Sequence, residues 1–174
     1  VSKNIESPRK SSLIDQIGRI EAARDRAAFL AKTGHMTSLG ADLRIVLSRW
    51  ARLTIPYLAD WCLVDLFEDD GKLKQLALAF HRPEDDSTLL DRRVSPLPPE
   101  LWNLLDKKRA YLEYPVRSDW IAGFISPIPA RGILLAPMNA YGKTTGLITW
   151  IITDPARSFN EEQIGIAEEV ALRM

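Results

Sequence analysis

Cysteine is nearly absent from this chain. Cys62 is the only one in 174 residues, so the chain can close no internal disulfide and build no multi-cysteine metal cage. That usage fits the cytosol. Histidine is almost as scarce, with His35 and His81 alone. An excess of one charge is missing as well, because 23 basic residues balance 23 acidic ones. Without a basic stripe, nucleic acid finds no electrostatic footprint. No apolar run approaches the roughly 18 residues of a membrane-spanning helix, and no signal peptide is visible. Neither a phosphate-cradling glycine loop, nor paired metal-ligand spacing, nor a serine–histidine–acid set argues for catalysis. There is no internal repeat and no low-complexity tract. What remains is 46% apolar and 26% charged, ordinary for one globular domain with an appendage. The chain opens on Val1 and stops at Met174 inside a helical pattern, and the expectation is a piece of something longer.

The most informative stretch runs from Leu58 to His81. Two apolar runs flank Glu68-Asp69-Asp70-Gly71, and an Asp-Gly turn between such runs signals a β-hairpin. A three-residue loop with Gly71 in the left-handed region pairs Glu68 with Lys72. Even positions Cys62, Val64, Leu66, Leu76, Leu78 and Phe80 then form an apolar face for helices to cover. Odd positions Trp61, Leu63, Asp65, Gln75, Ala77, Ala79 and His81 form a mixed face, suited to the floor of a small-molecule cavity. An edge hairpin with its odd face partly in water fits the same pattern.

The rest reads in order. Val1 to Lys10 is a polar leader, expected to be disordered. Ser12 to Asp15 has capping-box form and starts a helix that Gly34 stops. Its seam is Leu13, Ile17, Ile20, Ala27 and Ala31, either for dimerisation or for the domain's own body. A second helix, capped at Thr37 or Ser38, carries one buried stripe through Leu39, Leu43, Val46, Leu47, Trp50 and Leu53. His81 with Glu84, Asp85 and Asp86 has the composition of a metal site. A helix over Pro83–Asp91, begun by proline with acids at its positive end, explains the same residues. Pro98-Pro99-Glu100 opens a short helix through Leu105. Residues 109–114 form a short strand, and 115–129 a partly apolar loop of the length that serves as a lid. Strands follow at 133–138 and 144–153. Asn160 and Gln163 make a capping box for the last helix, with Phe159 stapling to Ile164.

With these elements in place, the chain resembles a known family. Ala59-Asp60-Trp61-Cys62 with Val64-Asp65, the Asp70-Gly71 turn and Ala79-Phe80-His81 look like the first hairpin of a GAF domain. Leu135-Ala136-Pro137-Met138 and Gly146-Leu147-Ile148-Thr149 resemble its later strands, and Ser158-Phe159-Asn160-Glu161-Glu162 the start of its closing helix. The resemblance covers about Thr37 to Met174. It implies an α+β, GAF-like and PAS-related fold, in which a central antiparallel sheet of five or six strands carries the terminal helices on one face and a pocket on the other. The organisation becomes a leader over 1–10, a signalling helix over 11–36 and the domain over 37–174.

The resemblance also implies a non-catalytic, cytoplasmic sensory module of a larger bacterial signalling protein, foremost a sensor histidine kinase. Its small-molecule ligand is unknown. Bilin-binding members attach pigment through a pocket cysteine, whereas Cys62 falls on the helix-facing side, which argues against a bilin. The cyclic-nucleotide members carry an Asn-Lys pair missing here, and haem-binding members use a pocket histidine; both are argued against likewise. Methionine-sulfoxide reduction needs several cysteines and is excluded. The pocket is expected from Trp61, Asp65 and His81 as floor, with Trp102, Tyr111, Trp120 and Phe124 as wall and lid. A homodimer is expected through Leu13, Ile17, Ile20, Ala167 and Ala171, with no nucleic acid and no membrane contact. The competing reading is a ligand-free dimeric relay, in which Trp120 and Phe124 plug the cavity.

Overall fold

The structure is a computed structural model that describes residues 36–55, 57–81, 93–94, 96–140 and 142–172. The leader, the seam residues Leu13, Ile17 and Ile20, His35 and the helix expected over Pro83–Asp91 lie outside the described residues. Helix α1 (Met36–Thr54) leads into β1 (Trp61–Phe67), β2 (Leu73–Phe80) and a two-residue β3 (Arg93–Val94). Then come α2 (Pro99–Lys107), β4 (Tyr111–Glu113), α3 (Asp119–Ile125), β5 (Gly132–Ala140), β6 (Lys143–Ile152) and α4 (Glu161–Leu172). The strands form one antiparallel six-stranded sheet in the order β3-β2-β1-β6-β5-β4. The α+β, GAF-like sheet is therefore as the sequence implied. Two elements differ from expectation. Strand β3 was not foreseen, and the lid segment 115–129 holds helix α3, whose Ile121, Phe124 and Ile125 repeat at helical spacing and are buried.

Helices α1 and α4 cover one face. Leu47, Trp50 and Ala51 of α1 pack with Cys62, Val64, Ile148 and Trp150 of the sheet and with Ala167, Val170 and Ala171 of α4. Trp50 and Trp150 meet at 5.9 Å. The Trp150 indole donates to Thr54 Oγ1 (3.1 Å), whose hydroxyl donates to the Ala51 carbonyl (2.7 Å), so a buried polar chain is satisfied. The Asn160–Gln163 box forms reciprocally at 2.8 and 3.1 Å. Ala167 and Ala171 do not make a dimer seam. Both are buried against this chain's own sheet, because α4 turns its small residues inward where close approach to β5 needs them.

The hairpin turn is as expected. Glu68 pairs with Lys72 through the main chain, and Gly71 takes φ +78°, a region other residues rarely adopt. Beyond the turn the pairing slips. Asp65 faces Gln75, but Val64 faces Ala77, so Leu76 is the extra residue of a β-bulge. Leu76 and Ala77 both pack toward the α1–α4 side. The parity of β2 reverses from there. Leu78 and Phe80 join Trp61 and Leu63 on the far face, while Ala77 and Ala79 go under the terminal helices. One inserted residue sends every later side chain to the opposite face.

Sheet spacing is tight at Gly146. A Cβ there would run into the Asp65 carbonyl oxygen, and into Met138 Cε at 2.5 Å. At the other end of β1, Asp60 ties the sheet to the segment after β6. Its carboxylate accepts from the Thr153 amide (2.8 Å) and hydroxyl (3.2 Å), the Asp154 amide (3.1 Å) and the Arg157 guanidinium.

Candidate functional site

The face away from α1 and α4 is roofed by α2 and α3. Leu101, Leu104 and Leu105 descend from α2, and Ile121, Phe124 and Ile125 from α3. Each set has i, i+3, i+4 spacing, which puts it on one helix face. Below them the floor is Trp61, Leu63, Leu73, Leu78, Leu135, Leu147 and Ile151. Within this apolar layer stand three polar side chains, Asp65, Gln75 and Thr149, each fully buried. Asp65 lies directly opposite Gln75 on β2 and opposite Leu147 on β6. Thr149 is two residues along β6, hence the diagonal neighbour of Asp65 on the same face. The Thr149 hydroxyl has no hydrogen-bond partner among the described residues.

Glu113 ties down the segment that leads into α3. Its carboxylate accepts from the amides of Arg117 (2.6 Å) and Ser118 (2.7 Å), the Ser118 hydroxyl (2.7 Å) and the Tyr111 phenol (2.8 Å). Burial alone would raise its pKa, but those donors outweigh it and bring the carboxyl down to about 2. The bonds fold the segment leading into α3, so Glu113 holds one roof helix in place. Tyr111 and Trp120 meet at 6.3 Å on the rim.

The sequence-expected residues divide as follows. Trp61, Asp65 and Phe124 are buried on or over this face, and Tyr111 and Trp120 border it half-buried. Trp102 is 45% exposed and stacks on Phe67 at 5.6 Å, outside the layer rather than lining it. His81 leaves the group. It is exposed just past β2, its amide bonded to the Asp60 carbonyl at 2.9 Å. The bulge at Leu76 is the reason, since it turns the odd positions of outer β2 toward the other side. Gln75 and Thr149 were missed as site residues. In the sequence Gln75 stands on the mixed face with no role given to it, and Thr149 reads only as part of the strand over 144–153.

Cys62 is fully buried on the α1–α4 face, and burial pushes its thiol up to about 12. It is thus remote from the roofed layer and poorly suited to react as a thiolate. Among the described residues no cluster of acids, histidines or cysteines could hold a metal ion, and no helix is long and apolar enough to cross a membrane. A carboxylate, a carboxamide and a hydroxyl under an apolar roof can orient a polar group of a bound molecule.

No sequence-family model matches the chain, and no curated protein sequence matches it. Solved structures do. The phycocyanobilin-bound GAF domain from a cyanobacterial phytochrome aligns over 99% of this chain and 92% of its own, at 15% identity and a TM-score of 0.68. The phycoerythrobilin-bound GAF domain from a cyanobacterial phytochrome aligns over 99% and 95%, at 16% identity and a TM-score of 0.65. The GAF domain of a two-component sensor histidine kinase from Bacillus halodurans aligns over 65% and 76%, at 12% identity and a TM-score of 0.51. These neighbours overturn the expectation against a bilin, which rested on cysteine placement alone: bilin-bound domains are among the folds most similar to this one. At these identities the likeness is one of fold, and the chain has the fold of a GAF domain.

Proposed function

We propose that this chain is a non-catalytic sensory domain of a larger bacterial signalling protein, one that binds a small molecule between the sheet and the α2–α3 roof. The sensor histidine kinase whose GAF domain it resembles is the first model for that parent. One observation carries the reading. Asp65, Gln75 and Thr149 are fully buried side by side in an otherwise apolar layer. Burying a polar group without a partner costs roughly 1–3 kcal/mol, and a ligand entering the layer would match the Thr149 hydroxyl. Trp61 and Phe124 would contribute apolar contact, and Tyr111 and Trp120 would close the rim. Occupancy would shift α2 and α3, and strands β1 and β6 would pass the change through Trp150 to α1.

A linear tetrapyrrole is the first ligand class to test, given the bilin-bound neighbours. It would be held without a bond to Cys62, which lies on the other face. Its pyrrole N–H groups are donors, and the Asp65 carboxylate, the Gln75 carbonyl oxygen and the Thr149 hydroxyl can all accept. The test is production of the chain with phycocyanobilin or phycoerythrobilin supplied, read by visible absorbance and thermal shift. Binding that Asp65→Asn weakens while the fold is kept supports the site. A shift from neither bilin nor any member of a small-molecule panel removes the sensing claim.

A second reading has its own observation. The outer stripe of α1 is Ile45, Arg49 and Arg52, all exposed, and that of α4 is Gly165, Glu169 and Leu172 beside Glu161 and Glu162. Opposite charges with an exposed aliphatic residue on each helix suit pairing of two copies. In that reading the domain relays through self-association, without a ligand.

A further inference from the structure

On the α4 side, at the β4 edge of the sheet, lies a cleft of about 210 Å³. It exists because β4 is short. Strand β4 pairs with β5 only from Ile133 to Leu135, and β5 runs on to Ala140 paired with β6 on one edge and with no described strand on the β4 edge. Ala110, Ala136, Pro137, Ala171 and Leu172 give it apolar walls. Arg109 stands on the connection from α2, and Glu168 on the last turns of α4, so the two charges border one small space from different elements. No ion pair joins Arg109 and Glu168, and neither has another side-chain partner among the described residues. Lys108, the left-handed C-cap of α2, is used otherwise: its ammonium donates to the Gly142 carbonyl at 2.9 Å. Leu172 is 71% exposed over the cleft.

We infer that this cleft is a second ligand site, separate from the roofed layer, and that it takes a free α-amino acid with an aliphatic side chain. The charges select the class. An anion alone would meet Glu168, a cation alone would meet Arg109, and an uncharged solute would leave both walls unmatched. A zwitterion answers both, its carboxylate toward the guanidinium fork and its ammonium toward the carboxylate. The aliphatic side chain would then lie on Ala136, Pro137 and Leu172. The volume agrees, being below the about 300–1,000 Å³ of pockets for drug-sized ligands. An occupant would touch both the C-cap of the roof helix α2 and the last turn of α4, so it would couple the two ends of the domain.

The experiment is calorimetric titration of the whole chain with L-leucine, N-acetyl-L-leucine and L-leucinamide. Leucine is expected to bind and both blocked forms to bind roughly ten- to hundred-fold more weakly, each having lost a charge-assisted hydrogen bond. Arg109→Gln and Glu168→Gln should each weaken leucine by a similar factor, while Asp65→Asn and Thr149→Val leave it unchanged. Arg109 is exposed and Glu168 half-buried, so circular dichroism should show both variants folded. The inference is overturned if leucine gives no heat at concentrations that saturate a Kd of about 1 mM. It is equally overturned if the blocked forms bind as well, or if the two variants bind leucine like the parent. Loss of leucine binding in Thr149→Val would place the amino acid in the roofed layer instead.

Discussion

Replacing Thr149 with valine should make the empty protein more stable and a worse binder. Valine keeps the shape and the β-branched form that the strand favours. The exchange removes a hydroxyl that is fully buried and has no hydrogen-bond partner among the described residues. A buried polar group without a partner costs about 1–3 kcal/mol, so that much should be recovered. For a chain of this size each kcal/mol moves the midpoint by about 2–4 °C, and a rise of several degrees is expected. The assay is thermal and urea unfolding of parent and variant side by side, with the urea slope unchanged so that the shift reports stability alone. Any ligand seated on the floor beside Asp65 should stabilise the variant less than the parent. A fall in stability of more than about 1 kcal/mol would mean that the hydroxyl is matched within the protein. The case for a ligand there would lose its best support.

Further outcomes follow from other parts of the fold. Gly146→Ala should destabilise by about 1–3 kcal/mol through overpacking, because its methyl group meets the Asp65 carbonyl and Met138; urea unfolding measures it, and a neutral result would contradict the β1–β6 spacing. Asp60→Ala should cost about 3 kcal/mol by the same measurement, since it strips the acceptor from two amides, a hydroxyl and Arg157. The Glu113 carboxyl is lowered from 4.5 to about 2. Its contribution is therefore fully present above the unfolded value and fades as pH falls toward about 2. The midpoint gap between the parent and Glu113→Gln should be constant near neutrality and close in that acid window; a gap that persists below it would rule out the titration. If two copies pair through α1 and α4, Arg49→Glu combined with Arg52→Glu should give a monomer by light scattering, and an unchanged mass would reject that pairing.

Much of this architecture was present in local sequence signals. The Glu68–Lys72 turn needs only Gly71 and its flanking runs, the α4 start only Asn160 and Gln163, and the α1 stripe only its period. These are short-range effects, and residues a few positions apart decide them. The bulge at Leu76 was not legible. It arises from how β2 fits the twisted β1, a contact between segments that the chain must bring together, and it alone decided that Leu78 and Phe80 join Trp61 while His81 does not. Ala167 and Ala171 read as a seam between two copies, because small residues permit close approach without naming the partner. Thr149 became a site residue only when strand pairing set it diagonal to Asp65, 84 positions away. Sequence specified each element and its local ends; packing between elements specified which side chains share a face, since that depends on register, and a single extra residue changes it.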